Sequence, residues 1–213
     1  MLLTYVQAEF SQADCDEVLV VKNDEIAKQT ILGMAPPFLL DAATGVKLAQ
    51  MPAIMLYLAE KYQLLPRGAF AAARLQHVLG DVTDVLADIT RNNGHQLWDV
   101  EAWRAFLDTR LPRWAQISAQ HLTELGTAKE TDGQRPNAVD ISIWATWGNL
   151  YEHFPALNPW FEEFAPALVE HHRLLPSCPH LHHWWAQTRE QYGDIYCGGQ
   201  IEASLRKMML DTC

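Results

Sequence analysis

Nine histidines, four cysteines, a proline pair and two polar-to-apolar junctions carry the chemistry this sequence can offer. His171-His172 and His182-His183 invite a metal reading. Adjacent residues on a helix point about 100° apart, so neither pair can chelate one ion. With no Cys or carboxylate partner at ligand spacing, they read as packed or solvated histidines, and no metal is expected. Cys15, Cys178, Cys197 and Cys213 form no C-x-x-C pair, which signals neither a zinc site nor a dithiol redox motif. Gln50-Met51-Pro52 reads as a helix start, because proline suits a first turn whose N–H would be orphaned anyway. A helix N-terminus there would attract an anion. Asn137 with Asp140 three residues on reads as a reciprocal N-capping box.

The elements that must position these residues follow from pattern. Pro36-Pro37 cannot lie inside a helix, and Pro36 pushes Ala35 to an extended conformation. Phe38-Leu39-Leu40 is a short apolar run closed by Asp41 and reads as a buried strand. Thr44-Gly45 is a turn signal, and Val46-Lys47-Leu48 completes a hairpin. The helix after Gln50 places Ile54, Leu58 and Tyr62 on one face. Upstream, Leu2–Val6 is compatible with a strand or a helical turn. Val18-Leu19-Val20-Val21 reads as a strand from its β-branched residues, and Asp24 through Met34 as a capped helix.

Residues 63–70 contain Pro66 and Gly68 and read as a linker, dividing the chain into 1–64, 65–70 and 71–213. From Ala71 the periodicity is helical. Leu75, Val78, Leu79, Val82, Val85, Leu86 and Ile89 make one stripe, stopped at Asn92-Asn93-Gly94. A second long helix from about Asp99 to Gly126 is expected to bury Trp103, Phe106, Leu107, Trp114 and Ile117 and to kink at Pro112. Lys129–Arg135 is polar and turn-forming. Helices are expected again at about Trp160–His172 and Pro179–Tyr192, and the segment from Gly198 carries no pattern that assigns it.

Composition narrows the function. The 213 residues are 49% hydrophobic, enough for a real core, without a run of about 18 apolar residues that would argue for a membrane span. Sixteen basic against 26 acidic residues give a net charge of -10, which repels phosphate backbones and anionic lipid, so neither nucleic acid nor membrane is an expected partner. No signal-peptide pattern opens the chain, and the cysteine usage suits a reducing cytoplasm.

The stretch from Pro37 through Gln50 to Tyr57-Leu58-Ala59-Glu60-Lys61-Tyr62 resembles the second half of the thioredoxin-like domain of cytosolic glutathione transferases. Asn137-Asp140 is similar to the capping box of that family's helical domain, and Pro179, Leu181 and Trp184 to its Pro-x-Leu-x-x-Trp. Ala35-Pro36-Pro37-Phe38-Leu39 and the Gln29-Thr30 pair are similar to a bacterial group of these proteins. The resemblance covers roughly Asp24 to Gln191. It implies a thioredoxin-like α/β N-terminal domain, abbreviated here, followed by an all-helical domain. Either Leu2–Gln7 is the opening strand with the first helix almost deleted, or Met1–Gln7 is the end of that helix and the opening strand is missing.

The resemblance also implies a site. Pro37 would follow a cis bond, and Pro36 would offer backbone to the cysteinyl part of glutathione, although it has no N–H to give. Gln50 and Met51 would hold the γ-glutamyl carboxylate, with Met51 standing where the family usually has a serine hydroxyl. Tyr5, Ser11 and Cys15 are the nearby residues of a type that could stabilise or replace the thiolate. The implied function is glutathione conjugation to a small apolar electrophile, with glutathione as co-substrate, in a cytoplasmic, detoxifying homodimer. Two alternatives stay open: a non-catalytic binding or scaffold module on the same fold, and a Cys15-dependent thiol transferase.

Overall fold

A computed structural model describes residues 1–126, 135–174, 178–193 and 200–212. Two short helices open the chain, α1 (Leu2–Tyr5) and α2 (Cys15–Asn23), followed by a single 3-10 turn at Ile26–Lys28. Strands β1 (Phe38–Asp41) and β2 (Val46–Ala49) pair antiparallel, and among the described residues they make the one sheet. Helix α3 (Met51–Lys61) follows β2 directly.

The remainder is helical: α4 (Ala71–Ile89), a turn α5 (Arg91–Gly94), α6 (Val100–Ala105), α7 (Leu111–Leu125), α8 (Ala138–Ile143), α9 (Asn149–His153), α10 (Asn158–Phe164), α11 (Pro166–Arg173), α12 (Pro179–Tyr192) and α13 (Gln200–Thr212). No helix of the described residues is long and apolar enough to cross a membrane. Part of the Lys129–Arg135 turn, residues 129–134, lies outside the described residues, as do Cys197 and Cys213.

The N-terminal third corrects three expectations. Val18–Val21 is helical, because Asp14 accepts from the Glu17 N–H at 2.8 Å and the Glu17 carboxylate accepts from the Asp14 N–H at 2.9 Å. That capping box outweighs the β propensity of three valines. Asp24–Met34 forms only the 3-10 turn. Gln29 is drawn instead into two local bonds, donating to the Lys22 carbonyl and accepting from the Gly33 N–H. Leu2–Tyr5 is a helical turn packed on α12, which removes the reading of Leu2–Gln7 as an opening strand. The β1 strand is also less buried than its apolar run suggests, with Leu40 53% exposed, since among the described residues the sheet has only two strands.

The helical part carries the core. Leu75, Val78, Leu79, Val82, Val85 and Ile89 are all buried on α4, each worth about 1.5–3 kcal/mol relative to exposure. Leu86 departs from the expected stripe and lies at the surface. Arg91 and Asn92 take left-handed φ values of 48° and 57°, which ends the helix. Asp99 caps α6 through the Ala102 N–H.

The single helix expected from Asp99 to Gly126 is interrupted by π-helical turns at Phe106–Arg110, just before Pro112. Proline has no N–H to continue the ladder, and the extra residue per turn absorbs the break. The shift moves Leu107, Trp114 and Ile117 to half-buried positions and puts Ala115 and Ser118 in the core instead. A second π segment, Trp144–Gly148, lets Gly148 sit against the His172 ring, where a Cβ would lie 2.8 Å from Nδ1. The helix expected at Trp160–His172 is split at Ala165-Pro166, and α13 forms where no pattern was read.

The Asn137 cap closes the helical part. Its Oδ1 accepts from the Val139 and Asp140 N–H groups, its Nδ2 donates to the Leu125 carbonyl at 2.6 Å, and its own N–H donates to Asp140 Oδ2 at 2.9 Å. Truncating Asn137 removes a cap, about 0.5–2 kcal/mol, and leaves the buried Leu125 carbonyl without that donor, about 1–3 kcal/mol. Asn137→Ala is therefore expected to cost about 2–4 kcal/mol in urea unfolding at unchanged m-value; a loss under about 1 kcal/mol would contradict this account.

Candidate functional site

The hairpin register brings two distant segments together. Phe38 pairs with Ala49 and Asp41 with Val46. Phe38–Ala49 is the last pair of the ladder, and Pro37 and Gln50 follow it directly on the two strands, so the segment leading into β1 and the start of α3 share one end of the hairpin. The Pro36–Pro37 bond at this end is cis, as the resemblance implies. Pro36, Pro37 and Gln50 are exposed, whereas Met51 is half-buried against the core.

Gln50 holds φ 74° and ψ 120°, a conformation that L residues rarely adopt. The strain has a local cause. The chain passes from β2 to α3 with no loop, and one residue must absorb the whole change of direction. Strained residues of this kind persist where surrounding structure over-determines them, and they cluster at ligand-binding sites.

The helix beyond Gln50 offers donors. Its first intrahelical bond runs from the Ile54 N–H to the Gln50 carbonyl at 3.0 Å. Pro52 has no N–H, so the groups left to face a ligand are the Met51 and Ala53 N–H. The positive end of the helix dipole adds to them. Pro36 contributes a carbonyl acceptor only. Gly33 packs over the same end: a Cβ there would fall 2.7 Å from both the Phe38 ring and the Ala49 Cβ.

The far end of the hairpin is fastened to α3. Asp41 Oδ1 accepts from the Ala43 N–H at 3.0 Å, and Oδ2 accepts from the Tyr57 hydroxyl at 2.6 Å and from Lys61. Thr44 Oγ1 lies 2.9 Å from the same hydroxyl. The Lys61 and Tyr57 hydrogen bonds hold the Asp41 carboxyl far below the usual carboxylate range, and the Asp41 partner raises Lys61. These bonds fix the angle between hairpin and helix, and so fix where Pro37 sits relative to Met51.

The three candidate catalytic side chains do not converge on this end. No hydrogen bond joins any of them to Pro36, Pro37, Gln50 or Met51. Ser11 is exposed between α1 and α2, and Cys15 is an exposed free thiol at the first residue of α2. Tyr5 lies under the Arg135 guanidinium, 5.8 Å from its ring centroid. Burial pushes the Tyr5 hydroxyl above its ordinary pKa, against a smaller opposing pull from a hydrogen bond to Arg135. A phenol so placed stays protonated and can donate a hydrogen bond, but it is a poor base. Asn137 and Asp140 form the reciprocal cap described above and play a structural part.

Residues 75–208 match a family model described as "Glutathione S-transferase, C-terminal domain", well over half of the chain. The chain belongs to the glutathione S-transferase family. Among solved structures it is similar to a sigma class GST of Fasciola hepatica, at 19% identity and a TM-score of 0.63, with 87% of each chain covered. At that identity the likeness shows the fold: a small α/β N-terminal part followed by an all-helical part. Among curated proteins none matches the sequence.

Sequence reasoning missed the Gln50 strain, which has no compositional signal, and Arg135 as the partner of Tyr5. It also missed the Asp41–Tyr57–Lys61 fastening, although Tyr57 and Lys61 at i, i+4 on one helix face are legible. Asp41 supplies a pH test of that fastening. Its folded pKa is depressed, so its contribution is present above the unfolded value of about 3.9 and is lost as pH falls through the folded value. The Tm difference between wild type and Asp41→Asn should be constant above about pH 5 and shrink steadily below about pH 4. A pH-independent difference would show that the carboxylate does no fastening.

Proposed function

We propose that this chain binds glutathione at the Pro37–Gln50 end of the hairpin and transfers it to a small apolar electrophile. The observation that carries the reading is the hairpin register, which brings the segment ending at Pro37 to the strained Gln50 start of α3. The Met51 and Ala53 N–H groups would take the γ-glutamyl carboxylate. The Pro36 carbonyl would accept from the cysteinyl N–H. The thiol loses its proton to solvent, the thiolate attacks the electrophilic carbon, and the leaving group departs with its electron pair. Of the three candidate side chains, Tyr5 has the protonated hydroxyl that could stabilise a thiolate by donating to it. Cytoplasmic placement and a detoxifying role belong to the same reading.

A second reading has its own support. Among the described residues no hydroxyl or thiol hydrogen-bonds to Pro36, Pro37, Gln50 or Met51, which favours a binding module that keeps the tripeptide site without the chemistry. Calorimetric titration with glutathione and a conjugation assay with an activated aryl halide separate the two. Binding with turnover supports transfer, binding without turnover supports the module, and no binding overturns both. Thiol–disulfide exchange abolished by Cys15→Ser would instead support the Cys15-dependent thiol transferase.

Met51 supplies a graded test. Met51→Ser restores a hydroxyl at a helix N-terminus facing a carboxylate, a hydrogen bond to a charged group nominally worth about 1.5–3 kcal/mol and less at an exposed rim. Glutathione affinity should rise about tenfold or somewhat less. Unchanged affinity would mean that the carboxylate does not sit there.

The resemblance also motivates a homodimer, although not by way of Val82 and Val85, which the chain's own core consumes. Exposed apolar surface lies elsewhere, with Phe70 84% exposed at the start of α4. Sedimentation at micromolar concentration should give the dimer mass, and a monomer would count against it.

A further inference from the structure

A cluster apart from the hairpin end has the composition of a metal centre. His77 and Asp81 stand at i, i+4 on α4 and therefore share one face of the helix. His121 reaches them from α7. Asp81 Oδ2 lies 2.7 Å from His121 Nε2 and 3.5 Å from His77 Nε2, and one donor atom from each residue lies within 4.8 Å of the others. The two imidazoles meet edge to face with centroids 4.9 Å apart. Both thus present Nε2 to a single carboxylate oxygen.

We propose that His77, Asp81 and His121 bind a divalent transition-metal ion, with zinc the species that suits them best. Two imidazoles and a carboxylate are borderline donors, which favour zinc and its neighbours over magnesium or calcium, whose sites are built from oxygen. Tetrahedral zinc with bonds of about 2.0–2.1 Å sets its ligand atoms about 3.3 Å apart. The two separations to Asp81, 2.7 and 3.5 Å, straddle that value, and the two imidazole donors lie within 4.8 Å of each other, so admitting the ion requires drawing the imidazoles in around it.

The adjustment falls on His77, whose side chain is 68% exposed, while His121 is nearly buried and Asp81 mostly so. Water from the open His77 side completes four-coordination. Three ligands from two helices make the ion a clamp between α4, which carries much of the core, and α7, whose last turn accepts the Asn137 side chain.

Full-length protein stripped with chelator and titrated with zinc chloride by calorimetry tests this. Wild type should bind one equivalent saturably, and zinc should raise its Tm. His77→Ala removes an exposed side chain, so it should fold as wild type does with chelator present. It should lose at least about tenfold in zinc affinity and most of the Tm gain. The triple variant His180→Ala, His182→Ala, His183→Ala, which removes surface histidines elsewhere, should bind as wild type does. No saturable binding by wild type, equal affinity in His77→Ala, or binding lost in the triple variant would each overturn the proposal.

Discussion

The buried Asp140 carboxylate is the point on which the rest of the architecture depends. Its side chain is 1% exposed and receives the Asn137 N–H, while the His171 Nε2 lies 3.3 Å from its other oxygen. A buried carboxylate without partners would be costly, so the groups around it are held in place as a set. Asn137 joins the start of α8 to the end of α7 through the Leu125 carbonyl, and the Ala138 N–H donates to Leu64, tying the segment after α3 to the same place. Gly126 is required there, because a Cβ would fall 2.7 Å from Asp140 Oδ1. His171 in turn stacks on Trp144 and accepts its indole N–H at the backbone carbonyl. The Asn137–Asp140 box thus links α7, α8, α11 and the chain after α3.

The hairpin is held by a different logic. It is two strands with open edges, an arrangement that is marginal in isolation. Its stability comes from α3, through Asp41 at one end and through Leu39 and Met51 packed on the core. Helix α2 has no buried residue, so it adds little to that support. The geometry at Pro37 and Gln50 is therefore inherited from α3, whose buried Leu58 and Ala59 belong to the main core.

Legibility followed the physical range of each signal. The Asn137–Asp140 box, the hairpin, the starts of α3 and α4 and the whole of α12 rest on contacts within four residues or on a clear period, and the residues alone display them. Val18–Val21 misled because propensity was read without the Asp14–Glu17 box four residues earlier, a local signal present in the sequence. The π segment before Pro112 shifted a correct helix by part of a turn, which was enough to exchange Trp114 and Ile117 for Ala115 and Ser118 in the core. The His77–Asp81–His121 cluster joins residues 44 positions apart on two helices, and no spacing rule on one strand of sequence could expose it. The strained Gln50 is legible only once β2 and α3 are known to abut.

On the proposed reading, the site is made almost wholly of backbone. The Met51 and Ala53 N–H groups, the Pro36 carbonyl and the helix dipole do not depend on which side chains occupy those positions. Such a site tolerates Met51 where the resemblance implies a serine, and a proline at 36, while the strained turn at Gln50 is kept. Side-chain losses weaken such a site by one hydrogen bond at a time, whereas loss of the register would remove every donor at once. Catalysis has no such reserve. A thiolate needs a specific donor within about 3 Å. On this reading recognition and chemistry rest on different parts of the chain, so a binding site made of backbone can persist whether or not a side chain such as Tyr5 supplies the chemistry.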